Sequence, residues 1–294
     1  EQKTQRGPCM SNPKSATANA EQSEAWNGTT GIKWVRFQDR LDRMLAPFGD
    51  ALLAKAAIKS GERVLDIGCG CGATTIEAAK FTGSSGRTLG IDLSAPMTAH
   101  ARDLATAAKS TAEFAVADAF THDFGKDSFD LLISRFGVMF FDDPVGAFTN
   151  MRRALTPQGR MVFICWRPLP ENEWISAPMR AARSLIPPVP PADPYAPGPG
   201  AFAEKERVTS ILEKAGFKNV THSAIDLPLS IGASLDEALE QSMEIGPLSR
   251  LIADLDDTVK TNVRQAVRGE LAKYLTPDGS VILSSAAWVV SATV

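Results

Sequence analysis

Residues Arg63 to Glu77, RVLDIGCGCGATTIE, constrain this chain more than any other stretch. Val64, Leu65 and Ile67 favour a strand, and they run into Gly68, Gly70 and Gly72 before a helical pattern begins at Ala73. Strand, glycine turn and helix form the first unit of an open α/β sheet. A glycine in such a turn takes a positive φ or clears a Cβ from the path of a ligand. The helix beyond the turn points free N–H groups at that ligand.

The glycine spacing alone leaves two readings, because Gly68, Gly70 and Ala73 also fit the dinucleotide pattern G-x-G-x-x-G/A. Asp66 separates them. It is a carboxylate at the carboxyl end of the strand, facing the ligand crevice. A pyrophosphate is repelled there, whereas a ligand with an ammonium and a sulfonium is attracted. Asp92, at the end of the second strand (Thr88–Asp92), is placed to accept both ribose hydroxyls of an adenosine. NAD enzymes use the same device, so Asp92 argues for a nucleoside without choosing the cofactor.

Asp66-Ile67-Gly68-Cys69-Gly70-Cys71-Gly72 resembles the first motif, D-x-G-x-G-x-G, of the class I S-adenosylmethionine-dependent methyltransferases. The nearest likeness is to the small-molecule group that includes ubiquinone- and menaquinone-biosynthesis enzymes. It runs from about Gly61 to Trp166. Asp92-Leu93-Ser94-Ala95-Pro96-Met97 is similar to the family's D-x-S-x-x-M, in which the Met packs on adenine; ordinary core filling is the competing reading of Met97. The resemblance implies that Asp118 accepts the adenine amino group and that the Ala119 backbone reaches the ring. It places Ser134 and Phe136 beside the reactive methyl, and Trp34 and Trp166 near the acceptor. The implied ligand is S-adenosyl-L-methionine, leaving as S-adenosyl-L-homocysteine.

The implied fold is a Rossmann-like, seven-stranded, mostly parallel sheet with helices on both faces. An N-terminal helical cap and a helical lid before the last strand complete it. The expected division is a disordered tail (1–22), a cap (23–60) and a cofactor-binding core (61–167). A Pro-rich loop or flap (168–201) and the C-terminal part of the sheet (202–294), with the lid insertion at 234–276, follow. Thr156–Gly159 reads as a turn before a fifth strand, Arg160–Trp166. Leu251–Leu275 reads as one helix, because Leu251, Leu255, Val259, Val263, Val267, Leu271 and Leu275 form an apolar stripe.

The net charge of −3, with no basic run carrying interleaved aromatics, argues against a nucleic-acid partner. No apolar run approaches the ~20 residues that span a bilayer. Met10-Ser11-Asn12 reads as a natural start, with residues 1–9 a cloning remnant. The cysteines, Cys9, Cys69, Cys71 and Cys165, suggest no disulfide framework, which fits a reducing cytoplasm. Cys69 and Cys71 lack metal-site spacing and read as small residues in a crowded turn. No metal is expected.

Arg135–Pro144 carries no N/D-P-P-Y/F run, which disfavours nucleobase and glutamine targets. The aromatics there suggest a small, partly hydrophobic acceptor, methylated on O, N, S or C. His122, His222, Asp123 and Glu173 are the bases considered, and none is assigned a catalytic role. The chain is expected to act as a monomer or homodimer. The alternatives are a cofactor-binding protein without transferase activity and an NAD-dependent oxidoreductase; Asp66 and the lack of a Tyr-x-x-x-Lys relay argue against the latter.

Overall fold

The computed structural model describes residues 19–188 and 193–294. Cys9, the start at Met10, residues 1–18 of the tail and residues 189–192 of the Pro-rich run lie outside the described residues.

Three helices lead in: α1 (Ala20–Asn27), α2 (Thr29–Arg36) and α3 (Gln38–Ala56). The α/β units follow as β1 (Arg63–Ile67), α4 (Ala73–Thr82), β2 (Arg87–Asp92), α5 (Ala95–Ala107), β3 (Glu113–Val116), β4 (Phe129–Arg135), α6 (Pro144–Ala154) and β5 (Leu155–Trp166). Then come α7 (Glu173–Ala182), α8 (Lys205–Lys214), β6 (Lys218–Gly232), α9 (Leu235–Glu244), α10 (Pro247–Ile252), α11 (Asp257–Leu271) and β7 (Val281–Thr293).

The strands form one sheet in the order β3-β2-β1-β4-β5-β7-β6. β1 to β5 pair in parallel, and β7 runs antiparallel to both β5 and β6. This is the expected seven-stranded, mostly parallel sheet. β1 and β4 lie at its centre and bury Val64, Leu65, Leu131, Leu132 and Ile133 almost completely. Strands covered on both faces are expected to be this apolar. The reversal of order at β1 and β4 opens a crevice at their carboxyl ends, where open α/β sheets bind ligands.

Three expectations need correction. Helix α1 begins at Ala20, inside the stretch read as tail, and Asn19 ahead of it is buried. Its side chain explains why: Asn19 Nδ2 donates to Asp118 Oδ1 (2.9 Å) and Asn19 Oδ1 accepts from the Asp142 amide (3.0 Å). The turn read at Thr156–Gly159 is an irregularity within β5, whose pairing with β4 shifts register between Phe129 and Leu131. The single helix read over Leu251–Leu275 is broken. Asp256 caps a new helix by accepting from the Val259 amide at 2.9 Å, so α11 starts afresh at Asp257.

Candidate active site

A cavity of about 420 Å³ opens at the carboxyl ends of the central strands. That is an ordinary size for a small-molecule site. Its walls come from the glycine turn, the ends of β2 and β4, the loop after β3, helices α2 and α3, and residues 244–253.

Asp66, Gly68, Gly70, Asp92, Leu93, Met97, Asp118 and Ala119 all line this cavity, as do Trp34, Phe136 and Trp166. Three carboxylates thus stand at the carboxyl ends of three neighbouring strands, Asp66 in β1, Asp92 at the end of β2 and Asp118 just after β3, around one space. Asp66 is buried, and its Oδ2 accepts from Thr75 Oγ1 at 2.7 Å. Its Oδ1 is buried with no partner, and so is the neighbouring Thr74 hydroxyl, whose residue also lines the cavity. Burial pushes the Asp66 carboxyl up to about 7, against the pull of Thr75 and the Arg135 charge. A cationic ligand at this wall would relieve that penalty.

Asp92 does two jobs. Its Oδ2 accepts from the Gly70 amide (2.9 Å) and its Oδ1 from the Ser94 amide (2.8 Å), which ties the glycine turn to the start of α5. Each oxygen keeps a second lone pair for a ribose hydroxyl. Removing this carboxylate therefore disturbs the turn. Burial raises its carboxyl too, opposed by those amide bonds. Asp118 Oδ1 is occupied by the Phe120 amide (2.9 Å) and by Asn19.

Two expected cofactor residues, Gly72 and Ser134, do not line the cavity. A Cβ on Gly72 would come within 2.7 Å of the Phe114 ring and 2.9 Å of Ala101, so its bare backbone serves helix and strand packing. Ser134 is buried; its hydroxyl donates to Ile67 O (2.7 Å) and accepts from the Gly137 amide (3.1 Å). Both of its hydrogen bonds brace the β1 and β4 turns. His100, His122, His222, Asp123 and Glu173 also stand outside the lining. Glu173 is engaged by the Tyr274 and Ser284 hydroxyls at 3.1 Å each.

One wall of the cavity is aromatic. Phe136 holds a left-handed backbone at φ 63°, unusual for a bulky residue. Its ring stacks on Trp166 at 3.8 Å and 12°, and Phe48 meets both rings edge-on at 5.2 Å. Trp174 continues the wall 5.1 Å from Trp166. Strain of this kind costs ~1–3 kcal/mol and collects at ligand sites.

Sequence reasoning missed Arg135 and Asp42. They pair at 3.5 Å and both line the cavity. Arg135 is close enough to Asp66 and Cys71 to pull both groups' pKa down. Its place between Ser134 and Phe136 was the available signal. Cys69 and Cys71 line the cavity as buried free thiols, and burial pushes Cys71 up to about 12, so neither is a ready thiolate. Among the described residues, no group of His, Cys, Asp and Glu is arranged to hold a metal.

Residues 64–159 match a family model described as a methyltransferase domain. Aklanonic acid methyltransferase DauC of Streptomyces sp. (strain C5) is 39% identical over 127 residues, 42% of this chain and 58% of that one. Nocamycin O-methyltransferase of Saccharothrix syringae is 30% identical over 210 residues, 68% of this chain and 71% of that one. Among solved structures, YcgJ of Bacillus subtilis aligns with a TM-score of 0.57 at 16% identity, covering 84% of this chain and 98% of the other, a likeness of fold. With the acidic crescent and the glycine turn in hand, these matches make the chain a member of the class I S-adenosylmethionine-dependent methyltransferase family.

Proposed function

We propose that the protein transfers the methyl group of S-adenosylmethionine to a small, partly hydrophobic acceptor. The observation that carries this reading is the trio Asp66, Asp92 and Asp118 around one cavity. A crescent of three carboxylates suits a cationic adenosyl ligand and opposes a pyrophosphate.

S-Adenosylmethionine supplies, when bound, a methyl group already activated on a sulfonium. The chain's share is to hold, align and exclude water. Asp92 is read as the ribose clamp, Asp118 and Ala119 as the adenine site, and Met97 as the adenine floor. Asp66, Thr74, Gly68 and Gly70 wall the methionine end, and Arg135 with Asp42 adds a charge pair suited to an amino-acid zwitterion. Trp34, Phe136, Trp166 and Trp174 form the acceptor wall.

A general base is required only where the acceptor must first lose a proton. Among the described residues no histidine lines the cavity, and the carboxylates Asp42 and Glu244, which do, are each held in an ion pair. Two relatives are named for an acid and for O-methylation, so oxygen acceptors come first.

The division into a cap that starts with α1 at Ala20, a core (61–167), a flap (168–201) and a C-terminal part with lid (202–294) belongs to the same proposal. Pro199, within the flap, lines the cavity. Among the described residues no helix is long and apolar enough to cross a membrane. A cytoplasmic monomer or homodimer with no nucleic-acid partner is the setting proposed, and the buried free thiols support it.

The test is turnover. Protein, S-adenosylmethionine and a panel of hydroxylated aromatics, aromatic acids, quinol precursors, amines and thiols are incubated, and S-adenosylhomocysteine is measured. Formation dependent on one acceptor class is the expected result. Binding of the cofactor with no turnover on any class would favour a binding protein without transferase activity.

A further inference from the structure

Helices α1 and α2 lie over the cavity on few apolar anchors: Trp26 meets Phe140 edge-on at 5.3 Å and Trp34 at 5.7 Å, and Trp34 packs partly buried against the core. α1 buries none of its residues and α2 buries only Gly31. Most of their other contacts are polar. On the β2 side, Asn27 Nδ2 donates to Leu93 O and Asn27 Oδ1 accepts from the Ala95 amide, both at 2.9 Å. Ser94 Oγ donates to Trp26 O at 2.7 Å.

On the opposite side stands a ladder of ion pairs to α9. Lys33 meets Glu244 at 2.8 Å and Arg36 meets Glu240 at 3.4 Å. The ladder continues from α3, where Arg40 reaches Glu240 at 2.7 Å and Glu237 at 3.7 Å. The cations and the glutamates are each spaced three and then four residues apart, so one face of the α2–α3 segment runs antiparallel to one face of α9. The buried hydrogen bond across this seam is Gln241 Nε2 to Met44 Sδ, and a thioether is a weak acceptor. Lys33 and Glu244 both line the cavity while remaining about one-third exposed, so their pair stands at its mouth. Between α2 and α3, Phe37 leaves the helical path at φ −100°, ψ 12°, with its buried ring under the Arg36 and Arg40 guanidinium groups at 5.0 and 5.4 Å.

We propose that α1 and α2 form a hinged cap that lifts about Phe37 to admit ligand, and that the α2–α9 ion pairs are its salt-sensitive latch. This rests on the reading that the cavity takes S-adenosylmethionine. Elements with few buried apolar contacts are the ones that open locally. Half-exposed ion pairs are individually weak and screened by salt, so a latch built from them is set by ionic strength.

Hydrogen exchange on the full chain tests it, read on peptides from α1 and α2 with α11 as the internal control. Raising NaCl from about 0.05 M to about 0.5 M, which cuts the screening length to a few ångströms, should speed exchange in the cap about fivefold and leave α11 unchanged. Glu240→Gln with Glu244→Gln should exchange fast already at low salt. The swap Lys33→Glu with Glu244→Lys should restore low-salt protection. Cap exchange indifferent to salt, or wild-type protection in the double glutamine variant, would overturn the latch. Calorimetry with S-adenosylhomocysteine is run on the same samples. A salt-sensitive cap on a protein that does not bind it would retain the latch and remove the cofactor reading.

Discussion

Gly68 and Gly137 press their bare backbones together. A Cβ on Gly68 would lie 2.7 Å from the Gly137 Cα, and one on Gly137 would lie 2.8 Å from the Gly68 Cα and 2.5 Å from Ile67 O. The turns after β1 and β4 therefore meet directly, and the crevice is as narrow there as two chains without side chains allow. Gly137 has an unremarkable φ of −80°, so an alanine there suffers from contact and not from backbone strain.

Gly137→Ala is accordingly expected to cost about 1–3 kcal/mol, the usual penalty for overpacking a tight site. Urea unfolding should show a lowered midpoint with an unchanged slope. Wild-type stability would mean that the two turns can part at no cost.

Asp66 makes stability depend on pH. Its folded pKa of about 7 lies above the ~3.9 of an unfolded aspartate, so the folded state binds more protons between those values. Its stabilising contribution is fully present below about pH 4 and is lost as pH rises through about 7, on the order of 4 kcal/mol in all. The raised Asp92 carboxyl acts in the same direction. Asp66→Asn should flatten the fall of urea midpoint across this window. A cationic ligand beside Asp66 should also release about half a proton at pH 7, measured by calorimetry in buffers of different ionisation enthalpy. Proton uptake on binding would contradict this placement.

Arg135 is expected to read the amino-acid end of the ligand. Arg135→Gln should weaken S-adenosylhomocysteine by roughly tenfold or more, the usual loss for a charged hydrogen bond. It should leave 5′-methylthioadenosine, which lacks that end, unaffected. Equal losses for both compounds would place Arg135 elsewhere in the cavity's work.

Much of this was legible in the chain because it is local. The run Val64–Gly72 encodes strand and turn by residue type alone, and Asp92 with Ser94 and Met97 encodes a strand end and a capped helix. What could not be read depends on partners distant in sequence. Gly137 carries no sign that Gly68 lies against it, and Ser134 is diverted from ligand to brace by that same meeting of turns. Asn19 sits in a polar stretch whose composition suggests disorder, and only Asp118 and Asp142 give it a place. Asp42 and Arg135 join across 93 residues. The stripe from Leu251 to Leu275 has a helical period in the sequence, but the cap at Asp256 starts a new helix that ends at Leu271, and Leu275 beyond it is exposed.

The most direct test is calorimetric titration of S-adenosylhomocysteine and of NAD into wild-type protein and Asp92→Ala. The wild type is expected to bind S-adenosylhomocysteine and not NAD, and the variant to lose about 1.5–3 kcal/mol of that affinity. Binding of NAD in place of S-adenosylhomocysteine, or an Asp92→Ala variant that binds as tightly as wild type, would contradict the acidic crescent as the adenosyl site.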